Sequence, residues 1–355
     1  MDLKLETVSN IHYDELIEFL TNFEDEIRDS EFWRSRLYLW WDQNPAFSDK
    51  IEKGWVLTQN DNDKIVGFIG NIPTYFHFQR KKIIIYNATS WRVNNTYRNQ
   101  SLSLIFKAIG YSKDSMLFDT TPSDKIINIL KKLKFKQCPI LINHTFFNLL
   151  NPYNILRARE IKGKLLLLLV KFVSPILKIY QSIRFMHLNK VNIVRRLSKA
   201  DSQFDTLWEK TKNKYENTNV RTSDIINWYC FGNINFKKIL FGYFANDELQ
   251  AYAIFNIASS NNIKRLVCTD LWGININKKI VKSFVSTAMK YGYENKIDII
   301  DYSNFDNNLS NIYSRLGLFR RSTRDKRYIK TSVEKYKAFN RNDTYLTFFQ
   351  GDLGL

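Results

Sequence analysis

The sequence predicts an α+β protein built from two similar domains in tandem. Its 355 residues are more than one hydrophobic core usually organises, so the length favours two domains. The 44% of hydrophobic and 25% of charged residues are typical of a folded globular protein and argue against a disordered one. Helical and strand-like segments also follow one another in the same order in both halves. We therefore expect domains at residues 1–150 and 195–355, joined by a basic helical linker over 151–194.

The first half begins with two helices and continues with strands. Apolar side chains at helical spacing predict helices over 12–23 and 31–41, the second closed by Asn44-Pro45. Runs of β-branched and aromatic residues predict a group of antiparallel strands at 54–58, 65–71, 74–78, 83–86 and 88–93. The remainder is expected to alternate between helix and strand, namely a helix over 101–109, a strand over 115–118 and a helix over 123–133 begun by Pro122.

The second half repeats this order. Its segments are helices over 204–212 and 223–230, strands over 239–244, 250–258 and 264–271, a helix over 278–291, a strand over 297–302 and a helix over 308–316. Aromatic pairs also recur, since Trp40-Trp41 in the first half is similar to Trp228-Tyr229 in the second. We expect these tryptophans and Trp33 in the cores of a repeated domain.

The linker is strongly basic. The chain has 53 Lys and Arg against 35 Asp and Glu, and between residues 151 and 200 there are eleven basic residues and one acid, Glu160. An apolar run over 164–180 is interrupted by Lys171, Ser174-Pro175 and Lys178, and is shorter than the ~20 residues of a membrane span. We expect a bridging helix packed on both domains. The alternatives are a basic amphipathic segment, within 162–196, on an anionic membrane surface, and a merely solvated basic face.

Cysteine and histidine usage excludes several classes of site. Cys138, Cys230 and Cys268 are far apart in the chain, and the four histidines are isolated, so neither a disulfide framework nor a metal site is expected. The first ten residues lack an apolar stretch of the kind found in signal peptides, which favours a cytoplasmic protein.

The most informative stretch is the one that follows Val93. A predicted strand ends there, a polar turn with Tyr97 and Arg98 follows, and a helix begins near Ser101. Free amides at a helix N-terminus bind anions, Arg98 can hold a phosphate in a bidentate manner, and Ser101 and Ser103 add small hydroxyl donors. The pattern predicts a diphosphate-binding turn that differs from a P-loop.

This stretch resembles a motif of the GNAT-type acyl-CoA N-acyltransferases. In that family a strand ending in Val precedes an Arg/Gln-x-x-Gly-x-Gly/Ala turn onto a helix, and both small positions are Ser in this chain. The resemblance implies acetyl-CoA or another acyl-CoA as co-substrate, with no metal. It places the pantetheine beside the strand and the diphosphate on the turn. The residues implied for this role are Trp91, Arg92, Val93, Arg98, Asn99, Gln100, Ser101, Leu102 and Ser103.

The second half carries the complementary part of the family pattern. Residues 311–319 are similar to the family's last helix, with Tyr313 four residues before Gly317, whereas the first half has Leu130 at the Tyr position. The phosphate turn, in contrast, has no match over 270–281. Two incomplete copies are similar to the double-domain acyltransferases, which include the Fem-type aminoacyl ligases. They are also similar to tandem acyltransferases encoded among surface-polysaccharide genes.

The resemblance implies direct transfer, in which an amine attacks the thioester carbonyl and a base removes its proton. Asp119, at the end of a strand facing the turn, is the expected base, unless it only caps the following helix. Tyr313 would protonate the departing thiolate if the second copy is active, and otherwise packs the last helix. Glu24 and Tyr97 are placed at the substrate.

We expect an acyl-CoA-dependent N-acyltransferase acting on a small amine, with an amino sugar or sugar nucleotide as the favoured acceptor. One alternative is a Fem-like transferase that uses aminoacyl-tRNA, with the basic linker as its RNA contact; no other nucleic acid is expected. The other alternative is a non-catalytic binding or scaffold protein. The expected location is the cytoplasm, with a peripheral position at the inner membrane face as an option.

Overall fold

The computed structural model describes residues 3–61, 63–139, 144–161, 163–186, 194–232, 238–323, 326–340, 342–352 and 355. Its strands are β1 (Leu3–Thr7), β2 (Gly54–Gln59), β3 (Ile65–Phe78), β4 (Lys81–Val93), β5 (Leu117–Asp119), β6 (Lys136–Gln137), β7 (His144–Leu149), β8 (Val194–Leu197), β9 (Asn217–Asn219), β10 (Lys238–Ala245), β11 (Glu248–Ser260), β12 (Ile263–Gly273), β13 (Ile299–Ser303), β14 (Phe319–Ser322), β15 (Tyr328–Lys330) and β16 (Thr344–Tyr345).

The α-helices are α1 (Tyr13–Thr21), α2 (Ser30–Trp40), α3 (Ser101–Tyr111), α4 (Asp124–Lys132), α5 (Pro152–Ala158), α6 (Lys164–Met186), α7 (Ser202–Thr211), α8 (Ser223–Phe231), α9 (Lys278–Glu294), α10 (Asn307–Arg315) and α11 (Val333–Lys337). Short 3₁₀ helices cover Asn10–His12, Asn95–Gln100 and Lys212–Lys214. Several α-helices begin at side-chain caps, as where Asp29 accepts from the Phe32 amide and Asp306 from the Leu309 amide.

The strands form two sheets with the same plan. The first runs β1-β2-β3-β4-β5-β15-β6, with β9 against β3 and β16 against β9, and the second runs β14-β7-β13-β12-β11-β10-β8. Pairing is antiparallel except between β4 and β5, between β12 and β13, and between β9 and β16. Two mixed, mostly antiparallel sheets flanked by helices confirm the predicted α+β class.

Each half inserts one strand between two strands of the other half's sheet, and β9 and β16 of the second half also join the first sheet. β7 lies between β13 and β14 of the second sheet, and β15 lies between β5 and β6 of the first. The expected boundaries after 150 and 194 therefore do not separate the two sheets. Residues 144–149 precede the boundaries but belong to the second sheet, and residues 328–330 follow them but belong to the first.

The hydrophobic core is continuous across the two halves. Trp40 and Trp41 of α2 belong to the same buried cluster as Trp228 and Tyr229 of α8, and the Trp228 indole donates to the Leu39 carbonyl at 2.8 Å. The expected core position of the tryptophans is confirmed, but they share one large cluster instead of filling two.

Some predicted segments merge in the structure. The strands expected at 65–71 and 74–78 are one strand, β3, and those at 83–86 and 88–93 are also one, β4. The two pair along their length in a hairpin whose turn, Gln79-Arg80, takes positive φ angles of 47° and 63°. Pro73 is accommodated inside β3 opposite Tyr86, and its carbonyl accepts a hydrogen bond from Asn44 at 2.9 Å.

The linker contains one continuous helix. α6 passes through Pro175 without a break, and the Ser174 hydroxyl donates to the Val170 carbonyl at 2.6 Å. The helix packs against α5 and α9, so its principal contacts are with helices that flank the second sheet. Residues 162 and 187–193 of the predicted basic segment lie outside the described residues.

Candidate active site

A cavity of about 320 Å³ opens where β4 and β5 separate. The two strands pair only at Tyr86–Leu117 and Asn87–Phe118, and beyond these positions each edge is released into the cavity. The lining residues are Ile69, Ala88, Thr89, Ser90, Trp91, Arg92, Ile105, Asp119, Thr121, Pro122, Ser123, Ile126 and Asp352. About half of these residues are polar or charged, and polar groups that converge on an enclosed space beside apolar side chains are typical of a small-molecule site.

A β-bulge shapes the β4 side of this cavity. Phe68 pairs with Arg92 and Gly70 with Thr89, so Ile69 of β3 faces two residues of β4, Ser90 and Trp91. Ser90 takes a φ of 49°, in the left-handed region. A bulge interrupts the ladder and re-aims the side chains and backbone groups beside it. The bulge therefore turns β4 backbone towards the cavity.

Asp119 ends β5 at the opposite wall. Its side chain is half-buried, and its pKa is raised to about 7, first because burial removes water from the carboxylate and second because the Asp352 carboxylate is near. The Thr121 amide donates a hydrogen bond to Asp119, and this bond partly lowers the pKa of Asp119. Ser123, not Asp119, caps α4, so the capping role that the sequence left open for Asp119 is wrong.

Asp352 reaches the same cavity from the far end of the chain. Its Oδ2 accepts from the Thr89 hydroxyl at 2.7 Å, and its Oδ1 accepts from Thr121 at 3.0 Å and Thr120 at 3.2 Å. Arg36 donates to its backbone carbonyl at 3.2 Å. Sequence reasoning missed Asp352, because Thr121 and Asp352 are 231 residues apart and no local pattern marks the acid.

The neighbouring Gly351 allows this approach. Its φ of 96° is in the region that favours glycine, and a Cβ there would overlap the Thr120 side chain. The backbone therefore passes close enough to Thr120 to place Asp352 in the cavity.

Arg92 and Trp91 stand on the rim and are already engaged. The Arg92 guanidinium lies 2.7 Å from Glu26 and over the Trp33 ring at 5.0 Å. Burial alone would raise the pKa of Glu26, but the hydrogen bonds and charges of Arg92 and Arg28 lower it. The Trp91 indole donates to the Ser101 carbonyl at 3.1 Å and so ties the end of β4 to the start of α3.

The predicted phosphate turn is exposed beside this site. Arg98, Asn99, Gln100 and Leu102 face solvent, and Ser101 and Ser103 are half-buried. Among the described residues Arg98 has no ion-pair partner. The Ser101 amide donates to the Arg98 carbonyl, because the 3₁₀ helix Asn95–Gln100 runs directly into α3. The expectation of a free amide at Ser101 is therefore wrong, and the helical segment begins at Asn95.

The remaining predicted residues of the first half lie away from the cavity walls. Glu24 accepts from the Asn95 amide group at 2.9 Å, and the Tyr97 hydroxyl accepts from Gln59 at 2.6 Å. Val93 is buried in the core beneath α3. The structure thus brings together Trp91, Arg92 and Asp119, but neither Glu24 nor Tyr97 lines the cavity.

The second half repeats the bulge, but a much smaller opening lies near it. Ile254 pairs with Asp270 and Phe255 with Cys268, which leaves Thr269 as the extra residue of β12. The Arg221–Asp270 ion pair, at 3.0 Å and with both side chains completely buried, lies beside this bulge. A small opening next to the following residue, Leu271, is bordered by Lys214, Tyr215 and Asp306 and has a volume of about 10 Å³, roughly that of one water molecule.

Tyr313 lies inside the second core. It is completely buried, its ring is 5.3 Å from Phe146 and 5.7 Å from Tyr302, and burial together with the Cys268 thiol raises its pKa well above the usual value. Its hydroxyl has no hydrogen-bond partner among the described residues. The structure does not bring Tyr313 to the cavity of Asp119.

Comparison with solved structures gives several matches over nearly the whole chain. Saccharomyces cerevisiae N-myristoyltransferase with bound myristoyl-CoA matches with a TM-score of 0.56 at 11% identity, covering 93% of this chain and 79% of that one. A probable N-acyltransferase from Enterococcus faecalis matches with a TM-score of 0.57 at 8% identity, covering 96% and 74%. A GCN5-related N-acetyltransferase from Anabaena variabilis matches with a TM-score of 0.56 at 12% identity, covering 93% and 72%.

The chain has the fold of these N-acyltransferases. The predicted tandem GNAT-like architecture is thereby confirmed. No family model matches the chain, and no curated protein does. At these identities the likeness shows the fold, and the surface-polysaccharide link suggested by the sequence has no support from it.

Proposed function

We propose that this protein is an acyl-CoA-dependent N-acyltransferase whose active site is the cavity between β4 and β5. The observation that carries the proposal is the position of Asp119. An acid whose pKa is about 7 stands in the cleft of an N-acyltransferase fold, opposite the bulge of β4. A base in that pKa range is suited to taking a proton near neutral pH.

The cavity supports an acyl thioester as the donor. The bulge at Ser90 and Trp91 leaves the β4 edge unpaired beside β5, where the amides of a pantetheine arm could pair with it. The exposed Arg98 guanidinium, free of ion pairs in the described residues, is suited to a phosphate next to the α3 N-terminus. Asn99, Gln100, Ser101, Leu102 and Ser103 stay predicted members of this phosphate site.

Asp119 would then act as the base of acyl transfer. The nitrogen of an amine forms a bond to the thioester carbonyl carbon, Asp119 takes a proton from that nitrogen, and the carbon–sulfur bond breaks. The departing thiolate then takes the proton from Asp119, which restores the base and releases the thiol. Burial first, and then the Asp352 carboxylate, would hold the pKa of Asp119 near neutrality, since both disfavour its ionised form. Apolar walls at Ile69, Ile105 and Ile126 would exclude water from the acyl group.

We propose an amine as the class of acceptor. An amino sugar or sugar nucleotide, the acyl chain length, and a cytoplasmic location stay predictions from the sequence. Transfer from aminoacyl-tRNA is a competing outcome of the test below. Because the opening beside the end of β12 is far smaller than the cavity between β4 and β5, the first half is proposed as the active copy.

The test is turnover as a function of pH. Thiol release from acetyl-CoA and longer acyl-CoAs is followed with a panel of amines, and kcat/KM should rise with pH to a plateau with a midpoint near pH 7. Asp119→Asn should lower kcat more than 100-fold while acyl-CoA still raises the melting temperature. Asp61→Asn, at an exposed acid outside the site, is the matched control.

Two results would contradict the proposal. One is full activity in Asp119→Asn. The other is the absence of any thermal response to acyl-CoA, together with binding of tRNA that weakens steeply as salt increases.

A further inference from the structure

Helix α6 presents a broad apolar face to solvent. The side chains of Leu165, Phe172, Ile176 and Ile183 are 72%, 71%, 65% and 67% exposed. Leu168, Leu169, Val173, Ile179 and Tyr180 are each more than half exposed as well. At 100° per residue these side chains cover an arc of roughly 140°. A contiguous apolar patch of this size marks an interaction surface.

The opposite face holds the helix to the protein. Gln181 donates to the Leu149 carbonyl at 3.1 Å and accepts from the Tyr293 hydroxyl at 2.8 Å. Phe185 is buried in the main core, and the Lys178 ammonium lies over the Tyr293 ring at 5.0 Å. The direction of the apolar face is therefore set by polar and apolar contacts with the second half of the chain.

The charge of the helix indicates what covers this face. Lys171 is exposed and flanks the apolar arc, whereas Lys178, also exposed, lies further round the helix over the Tyr293 ring. Arg157 and Arg159 are exposed just before α6, and α6 itself contains no acid. Against a second copy of this chain the lysines would face like charges, and the arc is wider than the seam of a helix pair. An anionic lipid surface complements both the charge and the width.

We propose that α6 lies flat in the interface of an anionic bilayer, with its apolar face among the acyl chains and Lys171 at the phosphates. Leu165–Phe185 is also long and apolar enough to cross a membrane, with a mean hydropathy of 1.5. The contacts of Gln181 and Phe185 instead hold it along the protein surface, parallel to the bilayer plane. Between Leu165 and Ile183 the helix would contact lipid over about 27 Å. The proposal is independent of the acyltransferase activity.

Vesicle flotation of the full chain tests this proposal. Wild-type protein should float with vesicles of phosphatidylcholine containing 30% phosphatidylglycerol and float much less with pure phosphatidylcholine, and the difference should shrink in high salt. Phe172→Glu/Ile176→Glu should lower the partition coefficient at least 30-fold on both kinds of vesicle. Lys171→Glu should lower it at least fivefold on the anionic vesicles only.

The controls keep the result interpretable. Ile11→Glu/Val333→Glu places two acids on exposed apolar positions outside α6, 87% and 58% exposed, and should float like wild type. All these positions are exposed, so the melting temperatures should stay within about 2 °C of one another. Equal flotation of the Phe172→Glu/Ile176→Glu variant and wild type would overturn the proposal. The proposal would also be overturned if neither protein bound vesicles and wild type formed a dimer that the Phe172→Glu/Ile176→Glu variant did not form.

Discussion

At the scale of single residues, the cleft is defined by two acids in unequal surroundings. Three threonine hydroxyls surround the Asp352 carboxylate, namely those of Thr89, Thr120 and Thr121. Asp119 is bonded by the Thr121 amide, and its pKa is raised. Burial, and then the nearby Asp352 carboxylate, favour the neutral form of Asp119. Two neighbouring acids with different environments are a common basis for acid–base roles.

The raised pKa of Asp119 predicts a pH-dependent stability. The folded protein keeps a proton on Asp119 up to about pH 7, whereas the unfolded chain loses it near pH 4. The free energy of unfolding should therefore fall as pH rises from about 4 to 7. Asp119→Asn removes this penalty and should be more stable than wild type by about 1–3 kcal/mol at pH 8, with little difference at pH 4.

Urea unfolding at the two pH values measures this difference, with Asp61→Asn as the exposed control. A variant that is less stable than wild type at pH 8, or equally stabilised at both pH values, would contradict the pKa.

At the scale of elements, the segment after β16 completes the cleft formed by β4 and β5. It passes Thr120 at Gly351 and delivers Asp352 between the two strands. The bulge of β4 supplies the opposite wall. The site is thus built from local irregularities, namely a left-handed serine and a left-handed glycine, on otherwise regular strands. Such positions are frequent at functional sites.

The glycine at 351 is the position where this construction is most easily broken. Gly351→Ala should destabilise the protein by about 1–3 kcal/mol, because the φ angle and the Thr120 side chain both exclude a Cβ. It should also lower acyl-transfer turnover more than tenfold through displacement of Asp352. Denaturant unfolding and thiol release measure the two effects.

Gly110→Ala is the matched control, since a Cβ at Gly110 in α3 would project into open space. It should be neutral or stabilising by about 0.5–1 kcal/mol. If Gly351→Ala behaves like this control, then Gly351 does not position the segment.

At the scale of the whole molecule, the two sheets depend on each other. β7 and β15 each pair on both sides with strands from the other half, and one buried cluster includes α2 and α8. Neither half can complete its sheet alone, because removal of the exchanged strand would leave two unpaired strand edges. We therefore expect cooperative behaviour across the chain.

Unfolding should occur in a single transition. Far-ultraviolet circular dichroism and tryptophan fluorescence should give the same midpoint in denaturant. Ile329→Ala in β15, at a side chain 1% exposed, should cost about 2–4 kcal/mol and lower the hydrogen-exchange protection of β2 and of β11 together. Ile27→Ala, at a side chain 94% exposed, should change neither. Two separate midpoints, or loss of protection in the first sheet only, would show independent halves.

The sequence allowed prediction of what depends on local pattern. β10 has a nearly continuous apolar run, and α9 has helical periodicity, so their positions followed from the residues alone. β1 was missed although Leu3-Lys4-Leu5 alternates as a half-buried strand does. Of the site, Asp119 and the end of β4 were found from the strand–turn–helix pattern.

Long-range pairing was beyond such reasoning. β15 has three residues, and nothing in their character says that they pair with Leu117–Asp119. Thr89 and Asp352 are 263 residues apart, and their hydrogen bond depends on how the whole chain folds. The buried Arg221–Asp270 ion pair also depends on tertiary contacts, because the two residues meet only when β12 and the segment before α8 are packed together.

The strand exchange also sets an order on biosynthesis. Thr331, at the end of β15, bonds to the carbonyl of Ser115, a residue translated 216 positions earlier. While the chain emerges from the ribosome, one edge of β5 stays unpaired until β15 has been translated. An unpaired strand edge can associate with other nascent chains. Asp352 arrives later still, so the cleft would gain its second carboxylate only after nearly all of the scaffold has been translated.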